Sequence, residues 1–246
     1  MKLTQQQIAD FNRDGFLLLP KFAPLELCDD IRLLAQKHLD AKIEPIESEE
    51  EYLNKDSDHK TVRRLRQVYD REPLFAQWMT YKEIRPILKQ LLGEQPCLLL
   101  AHHNSIMTKL PKISSETSWH QDIRYWSYEN DNLLSVWLSL GDEYLENGLL
   151  EFIPGSHKMH FLPDQFDELS SFRSDIDKNQ EVIDRRIHHK LYKGDVVLFH
   201  AKTLHYAHAN SSDDTKISFV YSLRGASNHP IKGTRSDFKE VLLDDL

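Results

Sequence analysis

The chain is 246 residues long, 40% apolar and 28% charged, which are the proportions of a soluble globular protein with material for a sizeable core. Its net charge of −8, with Arg63-Arg64-Leu65-Arg66 as the one basic block, argues against nucleic acid or a membrane surface as a partner. Two cysteines, Cys28 and Cys97, are too few for a disulfide framework or a thiolate zinc site, and they read as reduced packing residues. Met1-Lys2-Leu3 leads into a polar segment, and no apolar run approaches the ~20 residues of a membrane span. The expectation is a soluble, cytoplasmic protein whose oligomeric state is open.

The first third reads as mainly helical. Thr4 and Gln7 make a capping-box pattern, Ile8 and Phe11 give an apolar edge, and Gly15 can close the helix. Phe16-Leu17-Leu18-Leu19-Pro20 reads as a short buried strand, and Pro24 suits the first turn of a helix running to about Lys42. Residues 44–60 are acidic and turn-rich, with Glu49-Glu50-Glu51 near the centre; they read as a solvated loop or as a cover over a site. Pro73 opens another short helix, and Ile84, Ile87, Leu88 and Leu91 mark one closed by Gly93.

After Gln95 the character changes. β-rich runs are predicted at Cys97–Ala101, Ser105–Lys109, Ser118–Tyr125, Leu133–Leu140, Leu149–Ile153, Leu191–His200 and Ile217–Leu223. Asn147-Gly148 is a hairpin signal, and Gly194-Asp195 marks another turn. Many short strands after a helical lead-in predict an antiparallel barrel or jelly roll with helices packed outside, as a single domain over 1–246. Its parts are a lead-in over 1–95, a core over 96–225 and an irregular polar insertion over 159–190.

His120-Gln121-Asp122 is the chemical signal. In a strand, residues two apart share a face, so an imidazole and a carboxylate can hold one cation, two-thirds of the two-His, one-carboxylate set of non-haem Fe(II). His38-Leu39-Asp40 repeats the pattern on a predicted helix, where residues two apart diverge and cannot chelate. His205 is the candidate third ligand, at the end of the run from Val196; His200 and His208 compete with it, and spacing alone does not choose.

Taken together, SWHQDIRY (118–125), VWLSL (136–140), ENGLLEFIPGSHK (146–158), GDVVLFH (194–200) and LHYAHAN (204–210), in that order, resemble the phytanoyl-CoA dioxygenase family of Fe(II)- and 2-oxoglutarate-dependent oxygenases. The opening IADFNRDGFLLLP (8–20) is similar too. The resemblance runs over nearly the whole chain, weakest at 43–75 and 159–190. It implies a double-stranded β-helix of cupin-like, jelly-roll type, mainly β with flanking α. It also implies Fe(II) held by His120, Asp122 and His205, with 2-oxoglutarate and O₂ as cosubstrates. By the same resemblance Trp137 is a pocket-wall residue, and the Glu146-Asn-Gly and Pro154-Gly-Ser-His signatures build turns.

The family normally places an arginine eleven residues after the distal histidine, to pair with the far carboxylate of 2-oxoglutarate. Here that position is Lys216, followed by Ser218 on the same predicted strand face, and Ala207 stands where a serine is frequent. Lysine keeps the charge and loses the planar two-pronged grip. Lys109 is a candidate second positive contact, against the plainer reading of a surface lysine. Arg124, Tyr125 and Trp126 are candidates for the entrance, or ordinary strand and rim residues; Arg63, Arg64 and Arg66 are candidates for recognising an anionic substrate or helping to hold 2-oxoglutarate, or simply a solvated helix face. Asp122 favours hydroxylation, since related halogenating enzymes replace that carboxylate with a small residue. The expected reaction is hydroxylation of a small-molecule C–H bond with release of succinate and CO₂. A protein hydroxylase and a non-catalytic, metal-bearing cupin-like binding protein are the alternatives.

Overall fold

Thr4 caps helix α1 (Gln5–Asp14) through reciprocal bonds with Gln7, and Gly15 closes it in the left-handed region at φ +86°. These residues belong to a computed structural model that describes residues 1–53 and 61–244. Strand β1 (Phe16–Leu19) follows, then α2 (Leu25–Asp40), entered at Pro24 as the sequence predicts. The segment after α2 is not the expected loop. It contains β2 (Ile46–Ser48) and α3 (Glu49–Leu53), and the basic run forms β3 (Val62–Arg66) rather than a helix face. β2 and β3 pair with each other and with the central sheet, so Glu47 and Glu49 are buried. Residues 54–60 of the proposed cover lie outside the described residues. Helices α4 (Pro73–Met79) and α5 (Arg85–Leu92) complete the lead-in, and Gly93 caps α5 at φ +72°.

The β-rich part opens with β4 (Pro96–Lys109), one long strand where two were predicted. Then come β5 (Thr117–His120), β6 (Leu133–Ser139), β7 (Leu150–Phe152), α6 (Asp177–Ile183), β8 (Ile187–His188), β9 (Val196–His200), β10 (His205–Ala207), β11 (Lys216–Gly225) and β12 (Glu240–Leu242). The strand predicted over 118–125 ends at His120, and residues 122–125 form a 3₁₀ turn. Asn147-Gly148 closes a 3₁₀ turn before β7, with Gly148 at φ +94°, rather than making a two-residue hairpin.

Two sheets result. The larger has eight strands in the order β1-β9-β6-β11-β4-β3-β2, with β12 on β4; the smaller runs β5-β10-β7-β8. Period two decides what each face meets. On β11, Ile217, Phe219, Tyr221 and Leu223 enter the core under the helices, beside Leu134, Val136 and Leu138 of β6. The opposite parity of β11 is Lys216, Ser218, Val220 and Ser222. Val220, Trp137, Val197 and Phe199 pack against Leu150, Phe152 and Ala207 of the small sheet. The large sheet therefore presents an apolar back and a polar-dotted inner face, and the inner face positions the site.

Candidate metal and cosubstrate site

His120 ends β5 and His205 begins β10, and the two are direct partners across the antiparallel pair, with ring centroids 4.1 Å apart. Each ring is oriented by its own backbone. Nδ1 of His120 donates to Ser118 O at 2.7 Å and Nδ1 of His205 donates to Thr203 O at 3.0 Å, which leaves both Nε2 atoms as lone-pair acceptors. Burial pushes both imidazoles down to about 4, so they are neutral at physiological pH, the form a metal needs.

Asp122 arrives by a different route from the one strand parity predicts, at the start of the 3₁₀ turn. Its Oδ2 accepts from Ser135 Oγ at 3.0 Å and lies 3.4 Å from His103 Nδ1. Its Oδ1 lies 3.8 Å from His120 Nε2 and 3.7 Å from His205 Nε2. One carboxylate oxygen is thus tied to the sheet, and the other completes a triangle. The potential ligand atoms of His120, Asp122 and His205 all lie within 4.8 Å of one another, the one such group among the described residues. His200 and His208 are elsewhere: His200 Nδ1 accepts from Lys202 N, and His208 faces Glu151 at 3.2 Å. His38, the helical double of the motif, bonds Glu72 at 2.8 Å.

The signature turns hold the loop before His205. Ser156 Oγ accepts from Leu204 N at 2.8 Å, and Gly15 O accepts from His200 N and Thr203 Oγ1, each at 2.8 Å. Gly15 has no room for a side chain: an added Cβ would lie 2.4 Å from His157 Nδ1 and 2.6 Å from Thr203 Oγ1.

A cavity lies against the triangle, lined by His120, His205, His103, Trp137, Arg63, Lys109 and Lys216 among others. Lys216 is buried at 3% relative exposure, not a strand-edge lysine on the surface. Its Nζ donates to Glu143 Oε2 at 3.2 Å and Gly148 O at 2.5 Å. Burial lowers its pKa, against the pull of Glu143. Ser218 shares its face, as parity predicts, and donates to Glu143 Oε1 at 2.7 Å. Trp137 Nε1 donates to the same carboxylate at 3.1 Å. Lys109 is also buried, at 6%, and donates to Ser115 O. Burial, with Lys216 and Arg63 adding, pushes Lys109 down to about 7.

The entrance candidates have other partners. Arg124 lies 3.6 Å over the Phe166 ring, Tyr125 Oη donates to Leu169 O, and Trp126 stacks on His102. Arg63 lines the cavity, bonded to Glu47 at 3.1 Å and Thr117 Oγ1 at 2.7 Å, while Arg64 and Arg66 both reach Glu47. Burial alone would raise the Glu47 carboxyl; Arg64, Arg66 and Arg63 overcome that and hold it low. Sequence reasoning missed Glu143, Ser135 and His103. Strand parity from Lys109 back through Met107 reaches His103, the one signal that was present; nothing local marked Glu143.

A jelly roll whose facing sheets bring two imidazoles and a carboxylate to the edge of a lysine-bearing cavity defines a cupin-like, 2-oxoglutarate-dependent non-haem iron dioxygenase. The phytanoyl-CoA dioxygenase family model matches residues 11–218, and the chain belongs to that family. A probable phytanoyl-CoA dioxygenase of Caenorhabditis elegans is 23% identical over 231 residues, 86% of this chain and 72% of the relative. A probable alpha-ketoglutarate-dependent hypophosphite dioxygenase of Stutzerimonas stutzeri is 28% identical over 156 residues, 62% of this chain and about half (53%) of the relative. Among solved structures, EctD from S. alaskensis with 2-oxoglutarate and 5-hydroxyectoine superposes with a TM-score of 0.77 at 18% identity, covering 93% of this chain and 78% of that one. No helix among the described residues is long and apolar enough to cross a membrane.

Proposed function

We propose that the protein hydroxylates a C–H bond of a small cytoplasmic metabolite, consuming O₂ and 2-oxoglutarate and releasing succinate and CO₂. The observation that carries this reading is the triangle of two free Nε2 atoms and one free carboxylate oxygen at the cavity wall. The donor set fits Fe(II): neutral nitrogens, one anionic oxygen, and second partners on all three side chains. His120, Asp122 and His205 would hold the metal. Bound iron would supply the activation of O₂ and the oxidative decarboxylation of the 2-oxo acid.

The chain's own residues do the rest. Ser135 and His103 keep Asp122 turned so that one oxygen faces the two imidazoles. Lys109 places positive charge in a wall that Lys216 and Arg63 also line, where a carboxylate of the cosubstrate gains most from it. Leu150, Phe199, Val220 and the Trp137 ring keep that wall dry. Retention of a carboxylate at position 122 supports hydroxylation over halogenation. The relatives' names span a fatty acyl thioester and hypophosphite, so family membership does not choose the substrate. A metabolite panel incubated with Fe(II), 2-oxoglutarate and air tests the reading: one metabolite stimulates succinate release and gains one oxygen. Oxygen appearing on a protein of the same extract, and on no metabolite, would overturn it.

A further inference from the structure

Lys216 and Ser218, expected at the far carboxylate of the cosubstrate, and Trp137, expected in the pocket wall, converge instead on a carboxylate of the chain itself. Glu143 is wholly buried and accepts from all three, at 3.2, 2.7 and 3.1 Å. Gly148 O takes a second Lys216 hydrogen, so one of the three ammonium hydrogens is left for the cavity. The Lys216–Glu143 pair is neutral as a unit, and it offers a guest a hydrogen bond without a net charge.

Lys109 differs. It stands directly opposite Lys216 in the β4–β11 register and lines the same cavity. It forms no ion pair among the described residues, and its one polar partner is the backbone oxygen of Ser115. A buried ammonium with a single carbonyl partner is costly, and that cost is relieved by an anionic guest.

We propose that Glu143 is a positioning residue that removes Lys216 from charge recognition, so that Lys109 carries the far carboxylate of 2-oxoglutarate. This rests on the oxygenase reading above. Lys216 then adds one fixed N–H. The division of labour also accounts for a lysine at a position where the family normally has arginine: with a carboxylate built in behind it, a two-pronged grip on the cosubstrate has no place.

Calorimetry on the full-length protein loaded with Mn(II) tests this, with 2-oxoglutarate and, as the ligand lacking the far carboxylate, 2-oxobutyrate. Lys109→Met is expected to weaken 2-oxoglutarate about thirtyfold or more and leave 2-oxobutyrate within about threefold, as loss of a buried charge partner requires. The double variant Lys216→Met/Glu143→Gln removes the pair without leaving a net charge, and it costs 2-oxoglutarate only about threefold, the loss of one hydrogen bond. Glu143→Gln frees the Lys216 charge. It tightens 2-oxoglutarate in the wild-type background and regains about tenfold in the Lys109→Met background, a rescue that a merely structural glutamate would not give. Retained Mn(II) binding shows that each variant is folded. The double variant Lys216→Met/Glu143→Gln losing as much as Lys109→Met, or Glu143→Gln alone weakening 2-oxoglutarate, overturns the proposal. Wild-type protein that binds Mn(II) but neither 2-oxo acid overturns the oxygenase reading itself, and this proposal with it.

Discussion

Ser135→Ala separates a metal site held by the sheet from three side chains that merely meet. Ser135 is wholly buried on the inner face of β6, and its hydroxyl donates to Asp122 Oδ2 at 3.0 Å and touches Ser222 Oγ at 3.1 Å. A hydrogen bond to an ionised carboxylate is worth about 1.5–3 kcal/mol. If that energy serves only to hold Asp122 in its metal-facing orientation, its loss weakens the metal by about tenfold to a hundredfold, the range seen for partners behind metal ligands. His103 remains 3.4 Å from the same oxygen and offsets part of the loss, so the expected value is at the lower end, about tenfold to thirtyfold. Mn(II) titration followed by electron paramagnetic resonance reads this directly. Ser222→Ala is the control: it removes a neutral contact one step further from Asp122 and should change metal affinity by less than about threefold. Unchanged metal binding in Ser135→Ala, or an equal loss in both variants, refutes the reasoning.

Other expectations follow from the same geometry. Cosubstrate affinity should fall as pH rises. Burial, then Lys216 and Arg63, push Lys109 down to about 7 against Glu49 and Glu116, and an anion binds its protonated form. Above that pH the 2-oxoglutarate dissociation constant rises by up to about tenfold per pH unit, and Lys109→Met flattens this dependence in calorimetry. His38→Ala should lower the melting temperature through loss of the 2.8 Å bond to Glu72, about 1–2 kcal/mol, and leave metal stoichiometry unchanged; a lost equivalent of Mn(II) would contradict the helical-double argument. Gly15→Ala strains a φ of +86° and drives a Cβ against His157 and Thr203, costing about 1–3 kcal/mol or more. Because Gly15 O anchors the loop before His205, metal affinity should fall with stability, measured by melting and Mn(II) titration together.

Much of the site was legible because its chemistry lies in residue type and order. His120 and Asp122 were singled out on strand parity, and the structure brings them together for another reason: the strand stops at His120 and a 3₁₀ turn swings Asp122 back. Parity did place Lys216 and Ser218 on one face of β11, since that strand runs unbroken through the core. What escaped the sequence is pairing between distant segments. Glu47 and Glu49 look solvated when read beside their neighbours, yet β3 brings Arg63, Arg64 and Arg66 onto Glu47 and buries it. Glu143 sits in a turn between two family signatures, and only the fold shows three donors meeting its carboxylate.

The most direct test of the central claim is succinate formed from 2-oxoglutarate by the purified protein with Fe(II) in air, without any added substrate. The account predicts slow, iron-dependent succinate release that disappears in His120→Ala, Asp122→Ala and His205→Ala. Succinate release that persists in all three variants, or none from a wild-type protein shown to bind both iron and 2-oxoglutarate, would contradict it.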